Sequence, residues 1–290
     1  MHADRLVERI RPGMLARHLG ALQEIADLHG GHRATGSEGF EASMAYVEDM
    51  LHAAGHTAER QGFRVEGIAG TNLVVDWPGG GPGVVILGAH LDTVPGSPGM
   101  NDNASGVAAV LGIAEALAEL PAGERTIRLA FWDAEEGGPF GSRAYLEGLT
   151  SGERDRIVGY LNLDMIASPN ALTLVYDEAA AAPGSQRITD EFAVYLDAAG
   201  LPWDPVDLEG DSDHGPFTAA GIATGGLFSG GIEPVTETQA ARFDATPGIS
   251  ADACSHRPCD TLDNVDPATH LELARAAAHV LATLAERSTP

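Results

Sequence analysis

The sequence predicts an α/β fold in a single domain, with a central, mostly parallel but mixed sheet and helices on both faces. Three observations predict it. Near-continuous apolar runs such as VVILGA (84–89), TIRLAFW (126–132) and IVGYLNL (157–163) alternate with segments of helical period. No linker, repeat or low-complexity tract interrupts that alternation. His, Asp and Glu residues cluster just after the apolar runs, where the strand ends of an open α/β sheet converge on one rim.

Taken in order, residues 14–28 (MLARHLGALQEIADL) carry apolar side chains at helical spacing and predict an opening helix. GGHRATGSEGF follows as loop. Ser37 or Glu38 then starts a second helix to about Ala54, with Gly55 where a helix stop belongs. FRVEGI and TNLVVDW read as strands, and WPGGGPG (77–83) as a tight connection rich in the residues turns demand. Strand 84–89 delivers His90 and Asp92 at its carboxyl end. A Pro/Gly-rich loop leads to Asp102, and an apolar helix over 104–120 packs behind. Residues 126–133 form the next strand, followed by AEEGGPFGS and a helix over 142–149. Residues 157–165 are a third central strand and LTLVYD a fourth. RITDEFAVYLDAAG is a helix ending in Gly200, and GIATGGLF a last strand. Segment 229–253 is the least regular and is expected to be a long surface excursion. Pro267 opens a closing helix to about Glu286, at a position where its missing donor costs little.

Composition narrows the function. The chain has 290 residues, enough for a sizeable core. Its 42 acidic residues against 17 basic ones give a net charge of −25, which repels nucleic acid and anionic membranes. All the basic residues are arginine. No apolar run reaches the roughly 20 residues a membrane helix needs. The opening MHADRLVERIRPG lacks the apolar core of a secretory signal, so an exported form is expected to have had its signal removed or replaced; cytoplasmic function stays open. His2, His18, His29 and His32 precede the core and are expected to be solvated. Cys254 and Cys259 bracket CSHRPC, compatible with a disulfide, a soft metal-ligand pair or two free thiols.

His90, Asp92, Asp102, Glu135, Glu136, Asp164 and His256 all fall at predicted strand ends or in loops. Singly, each Asp reads as a cap or turn former. The adjacent Glu135 and Glu136 resist that reading, because like charges repel and a cation would relieve them. Two imidazoles with several carboxylates suit zinc, and three carboxylates with two His serve two ions better than one. A two-ion site lowers the pKa of water and steadies attacking and leaving oxygens. One glutamate outside the ligand set would take the proton.

HLD (90–92), NDNASG (101–106), AEE (134–136), LNLDMI (161–166), SDHGPF (212–217) and CSHRPCDTLDN (254–264) together resemble the di-zinc aminopeptidases of the M28 type. The likeness runs from GGHRATGSEGF to the final helix. It implies a zinc-exopeptidase fold over residues 1–290 as one peptidase domain, acting on peptides with a free N-terminus as an exported monomer. His90 and Asp164 would hold one zinc, Glu136 and His256 the other, and Asp102 would bridge them. The Asp102–Asn103 peptide bond would be cis. Glu135 would be the general base, and Asp92 would accept from the imidazole of His90. Glu135 and Asp164 would face the substrate's α-amino group. Met165 and Phe228 would wall a pocket for a hydrophobic first side chain, unless they are ordinary core. The likeness supports a Cys254–Cys259 bridge and makes His214 structural.

Two departures stand out. Ser255 stands where a related secreted enzyme has a Tyr placed to donate to the oxyanion, and serine is too short to replace it. Asp211 stands where that enzyme has an Arg, and is expected to lower tolerance for acidic groups near the cleaved bond. That enzyme's calcium ligands align with Leu271 and Arg275, so calcium is not predicted. Two alternatives remain: a one-zinc acyl transferase of the glutaminyl cyclase kind, and a catalytically silent binding module.

Overall fold

The computed structural model describes residues 3–286. Eight strands form one mixed sheet: β1 (Glu59–Val65), β2 (Ile68–Trp77), β3 (Val84–His90), β4 (Thr126–Trp132), β5 (Ile157–Leu163), β6 (Leu174–Tyr176), β7 (Asp204–Val206) and β8 (Thr224–Phe228). Their order across the sheet is β1-β2-β4-β3-β5-β8-β6-β7. The block β4-β3-β5-β8 is parallel, while β2 joins β4 and β6 joins β8 in antiparallel fashion. Every residue of β3 is buried, as its continuous apolar run requires of a strand covered on both faces.

Alternation along the strands separates two cores. Val85, Leu87, Leu129, Phe131, Leu161 and Leu163 pack with the helices α2 (Pro12–Leu28), α3 (Glu38–Ala53), α4 (Gly106–Leu117), α7 (Ser185–Ala199) and α10 (Pro267–Glu286), which follow α1 (Ala3–Val7) in the chain. Ile86, Ala130, Trp132 and Tyr160 point the other way, toward α5 (Phe140–Gly148) and α8 (His214–Ala219). α4 buries all its residues but Glu115. It can lie that close to the sheet because it starts at Gly106, where a Cβ would collide with the Leu163 carbonyl.

The long helices and central strands match their expected places, but the strand expected over FRVEGI is broken by the hairpin turn at Glu66 and Gly67, both at positive φ, so that β1 ends at Val65 and β2 begins at Ile68; short elements add to these. α1, α6 (Ser151–Arg154), β7, α8 and α9 (Glu237–Phe243) were not foreseen; segment 229–253 is the mostly exposed, irregular excursion expected, with α9 as a short helix inside it. Its Thr236 and Gln239 form a reciprocal capping box. His18 corrects a second expectation. Far from being solvated, it is fully buried on the α2 face it shares with Leu15, Leu19 and Leu22. Its Nδ1 lies 2.7 Å from Tyr46 Oη and its Nε2 3.2 Å from Glu115, while burial lowers its pKa to about 4. His29 and His32 are half-buried, and His2 lies outside the described residues.

Candidate metal centre

Because β3, β4 and β5 are parallel neighbours, their carboxyl ends share a rim. β3 ends on His90, Asp164 follows β5 immediately, and Glu135 and Glu136 follow β4 within four residues. The loop after β3 returns Asp102 to the same place through a wide turn over Met100–Ser105, with a cis peptide between Asp102 and Asn103. Asn103 ties that turn to β5: its Nδ2 donates to the Leu163 carbonyl at 2.8 Å, and its Oδ1 accepts from Gly106 N at 3.0 Å and Met165 N at 3.3 Å. His256 alone comes from off the sheet. It sits at positive φ inside the loop closed by the Cys254–Cys259 disulfide.

These side chains form a row. His90 Nε2 lies 3.3 Å from Asp164 Oδ1 and 3.4 Å from Asp102 Oδ1. On the far side, Asp102 Oδ2 lies 3.1 Å from His256 Nε2, which lies 2.9 Å from Glu136 Oε2. Asp102 therefore turns one oxygen to each end. Glu135 stands beside the row, its Oε2 3.9 Å from His90 Nε2. Asp92 takes a somewhat different place from the one expected. The nearest acceptor for His90 Nδ1 is the Asp92 backbone carbonyl at 3.1 Å, with the carboxylate at 3.6 Å. That carboxylate instead accepts the backbone N–H of Glu135 at 3.1 Å and of Glu136 at 3.3 Å, and so fixes the turn carrying both glutamates.

The electrostatics show what the donors lack. Hydrogen bonds to Asp102 and Glu136 raise His256 to a pKa of about 10. Burial disfavours a charged His90, yet Asp164, Glu135 and Asp102 outweigh it and push its pKa well up. Burial also raises Glu135, with Asp164 and Asp213 adding to it. Protons are thus drawn onto the imidazoles to offset crowded carboxylates. Among the described residues no arginine side chain pairs with any of the five, and the chain has no lysine. Two imidazoles and three carboxylates short of positive charge fit divalent zinc. The ligand atoms of His90, Asp102 and Glu136 already lie within 4.8 Å of one another.

The sequence profile described as Peptidase family M28 matches residues 72–281. The chain belongs to peptidase family M28. Leupeptin-inactivating enzyme 1 of Streptomyces exfoliatus is 42% identical over 273 residues, covering 92% of this chain and 60% of that protein. The probable lipoprotein aminopeptidase LpqL of Mycobacterium tuberculosis is 40% identical over 221 residues, covering 72% of this chain and 43% of that protein. The chain thus spans less than two thirds of these relatives' length. Among solved structures, the aminopeptidase from Aneurinibacillus sp. strain AM-1 superposes with a TM-score of 0.79 at 17% identity, covering 99% of this chain and 97% of the other. The glutaminyl cyclase of Bacteroides thetaiotaomicron does so at 0.74 and 18%, covering 94% and 98%. Both share its fold.

In this M28 chain the row opens onto a cavity of about 610 Å³ whose wall includes Met165, Phe228, Asp211, Ser255 and Arg257. Ser255 Oγ donates to Asp102 Oδ2 at 3.3 Å. His214, fully buried, lies 3.2 Å from Glu178, outside the row. Sequence reasoning missed Arg33, which is completely buried. Its guanidinium donates to the carbonyls of Leu91, Pro98 and Gly99, stapling the loop that joins His90 to Asp102. It missed Asp252 and Asp260 as well. Asp260 accepts the backbone N–H of Asn101 at 2.9 Å and of Asp102 at 3.1 Å, and Asp252 those of Cys254 at 2.8 Å and Ser255 at 3.1 Å. The available signal was the density of Asp and Asn around CSHRPC, residue types suited to bonding loop amides.

Proposed function

We propose that the protein is a two-zinc aminopeptidase that removes hydrophobic N-terminal residues from peptides, with residues 1–290 forming one peptidase domain. The observation that carries this reading is Asp102, whose two oxygens face His90 and His256 at opposite ends of the row. His90 and Asp164 would hold one ion, Glu136 and His256 the other, and Asp102 both. Zinc there supplies Lewis acidity toward the carbonyl and makes water a competent nucleophile near neutral pH.

The chain's own groups do the rest. Glu135, beside the row and outside it, takes a proton from the attacking water and delivers it to the leaving nitrogen as the C–N bond breaks. Glu135 and Asp164 hold the substrate's α-ammonium, and Met165 and Phe228 receive its first side chain. Asp92 positions Glu135 and Glu136 through their amides. Ser255 faces Asp102, so the oxyanion lacks the phenol found in the related enzyme. Both ligand pairs favour hydrolysis over one-zinc acyl transfer, and a base at Glu135 favours an enzyme over a silent module. The disulfide favours an exported protein in an oxidising compartment, and among the described residues no helix is long and apolar enough to cross a membrane.

Glu135→Gln tests the assignment. Turnover of leucine p-nitroanilide should fall about 10³-fold or more, with zinc content unchanged. A variant that keeps its rate removes Glu135 from the role of base, and a wild-type chain that binds fewer than two zinc ions removes the two-ion reading.

A further inference from the structure

We propose that Arg257 reads a carboxylate on the residue following the scissile bond, so that this enzyme prefers dipeptides and peptides with an acidic second residue. The inference rests on the aminopeptidase reading and adds a specificity determinant to it.

Among the described residues Arg257 is the only arginine on the cavity wall. It is exposed, and among the described residues its guanidinium has no carboxylate partner. Arg9, Arg17, Arg60, Arg128, Arg143 and Arg242 spend their charge on acids of the surface, whereas that of Arg257 is left to the cavity. Its backbone is held still. The N–H donates to the Cys254 carbonyl at 2.9 Å, and its carbonyl accepts from Asp260 N at 3.0 Å and from Ser97 Oγ at 2.9 Å. A free guanidinium on a pinned backbone at the mouth of a cavity is placed to take an anion, and its fork matches a carboxylate.

Direction along the row says which anion. Asp211 adjoins Ser212, whose hydroxyl bonds Asp164 at 2.7 Å, so its charge marks the His90–Asp164 end. Arg257 adjoins His256 and marks the other. A substrate whose α-ammonium lies against Glu135 and Asp164 runs toward Arg257, and one residue past the scissile bond spans about 3.5 Å of extended chain. The repulsion of acids expected from Asp211 thus belongs to the first end alone.

Steady-state kcat/KM on the zinc-loaded chain tests this with two matched pairs: Leu-Gly against Leu-Gly-amide, for a terminal carboxylate, and Leu-Asp-amide against Leu-Asn-amide, for a side-chain one. The wild type should favour the carboxylate member of each by about 5-fold, less at high salt. Arg257→Gln should bring both ratios to near one, Arg257→Glu should invert them, and Arg257→Lys should keep part of each. A preference in one pair alone confines recognition to that source and overturns the other. Ratios equal in wild type and Arg257→Gln overturn the inference while hydrolysis of all four upholds the reading beneath it. Absence of hydrolysis on every peptide overturns both.

Discussion

The two ends of the ligand row are built by different physics. His90 is 1% exposed and terminates a strand flanked on both sides by parallel neighbours, so the core that buries β3 also aims its imidazole. The side chain of His256 is 57% exposed and stands on a loop at φ 60°. A disulfide and the carboxylates of Asp252 and Asp260 hold that loop, and Asp260 ties it to Asp102. One half of the site follows from folding of the sheet; the other depends on a covalent bond and charge-assisted hydrogen bonds that water can compete for. On the proposed two-zinc reading, the ion at the His256 end should therefore be released first.

The comparison breaks hardest if the buried end is undone, and Arg33 is the place to do it. Arg33→Met removes the donors of three loop carbonyls and a cation near Asp92, Asp260, Glu136 and Asp102. Stability should fall by about 4 kcal/mol, and zinc should weaken at both ends, because the stapled loop sets the spacing of His90 from Asp102. Arg33→Lys, which keeps the charge but loses the fork, should recover part of the stability. Urea unfolding with zinc analysis checks this. A loss below about 1 kcal/mol with both ions retained would show that strand geometry alone builds the His90 end.

The same contrast explains what the sequence disclosed. His90, Asp102, Glu135, Glu136 and Asp164 were legible as a group because apolar strands of a parallel sheet put their ends on one rim. His256 could be grouped with them by residue type and loop position, but which ion it would hold came only through resemblance to a family. Its loop is placed by hydrogen bonds to residues more than 150 positions away, such as Asn101 and Asp102 to Asp260, which leave no periodicity. Arg33 escaped notice because a guanidinium in a Gly-rich loop reads as solvated until the loop it bonds is seen. His18 escaped because a polar residue on an apolar helix face looks like an interruption. α9 was within reach, since Thr236 and Gln239 stand at capping-box spacing.

A smaller effect sharpens the buried side. His270 is 1% exposed and its Nε2 lies 2.9 Å from the Ser105 carbonyl, at the entry to α4; a carbonyl only accepts, so Nε2 carries the proton. Burial lowers its pKa from 6.5 to about 4. The unfolded chain then binds more protons between those values. The stability this histidine contributes is complete above pH 6.5, falls as pH drops toward 4 and changes no further below. The loss should approach about 3 kcal/mol. His270→Gln, which can still donate to Ser105, should flatten that part of the profile when zinc-free wild type and variant are unfolded in urea from pH 7 to pH 4. Parallel profiles would mean that His270 is charged, or hydrated, in the folded state.

The finest test addresses the exposed end directly. The disulfide closes a loop with a sequence separation of 5, so replacing both Cys254 and Cys259 by Ser should cost only about 2 kcal/mol of stability. The informative consequence is local. Asp252 still accepts from the backbone N–H groups of positions 254 and 255, and the Arg257 backbone keeps its bonds to position 254, Asp260 and Ser97, but the segment from His256 to position 259 loses its covalent closure. Zinc affinity at that end should drop about 10- to 100-fold, the size of effect seen when groups that orient a metal ligand are removed. Chelator titration followed by metal analysis should then show one early and one late release per chain, where the wild type releases its two ions closer together. Only the early release should move in the variant, because His90 and Asp164 owe their places to β3 and β5. Two phases that shift by the same amount would mean that Asp102 couples the ends so tightly that neither can be loosened alone.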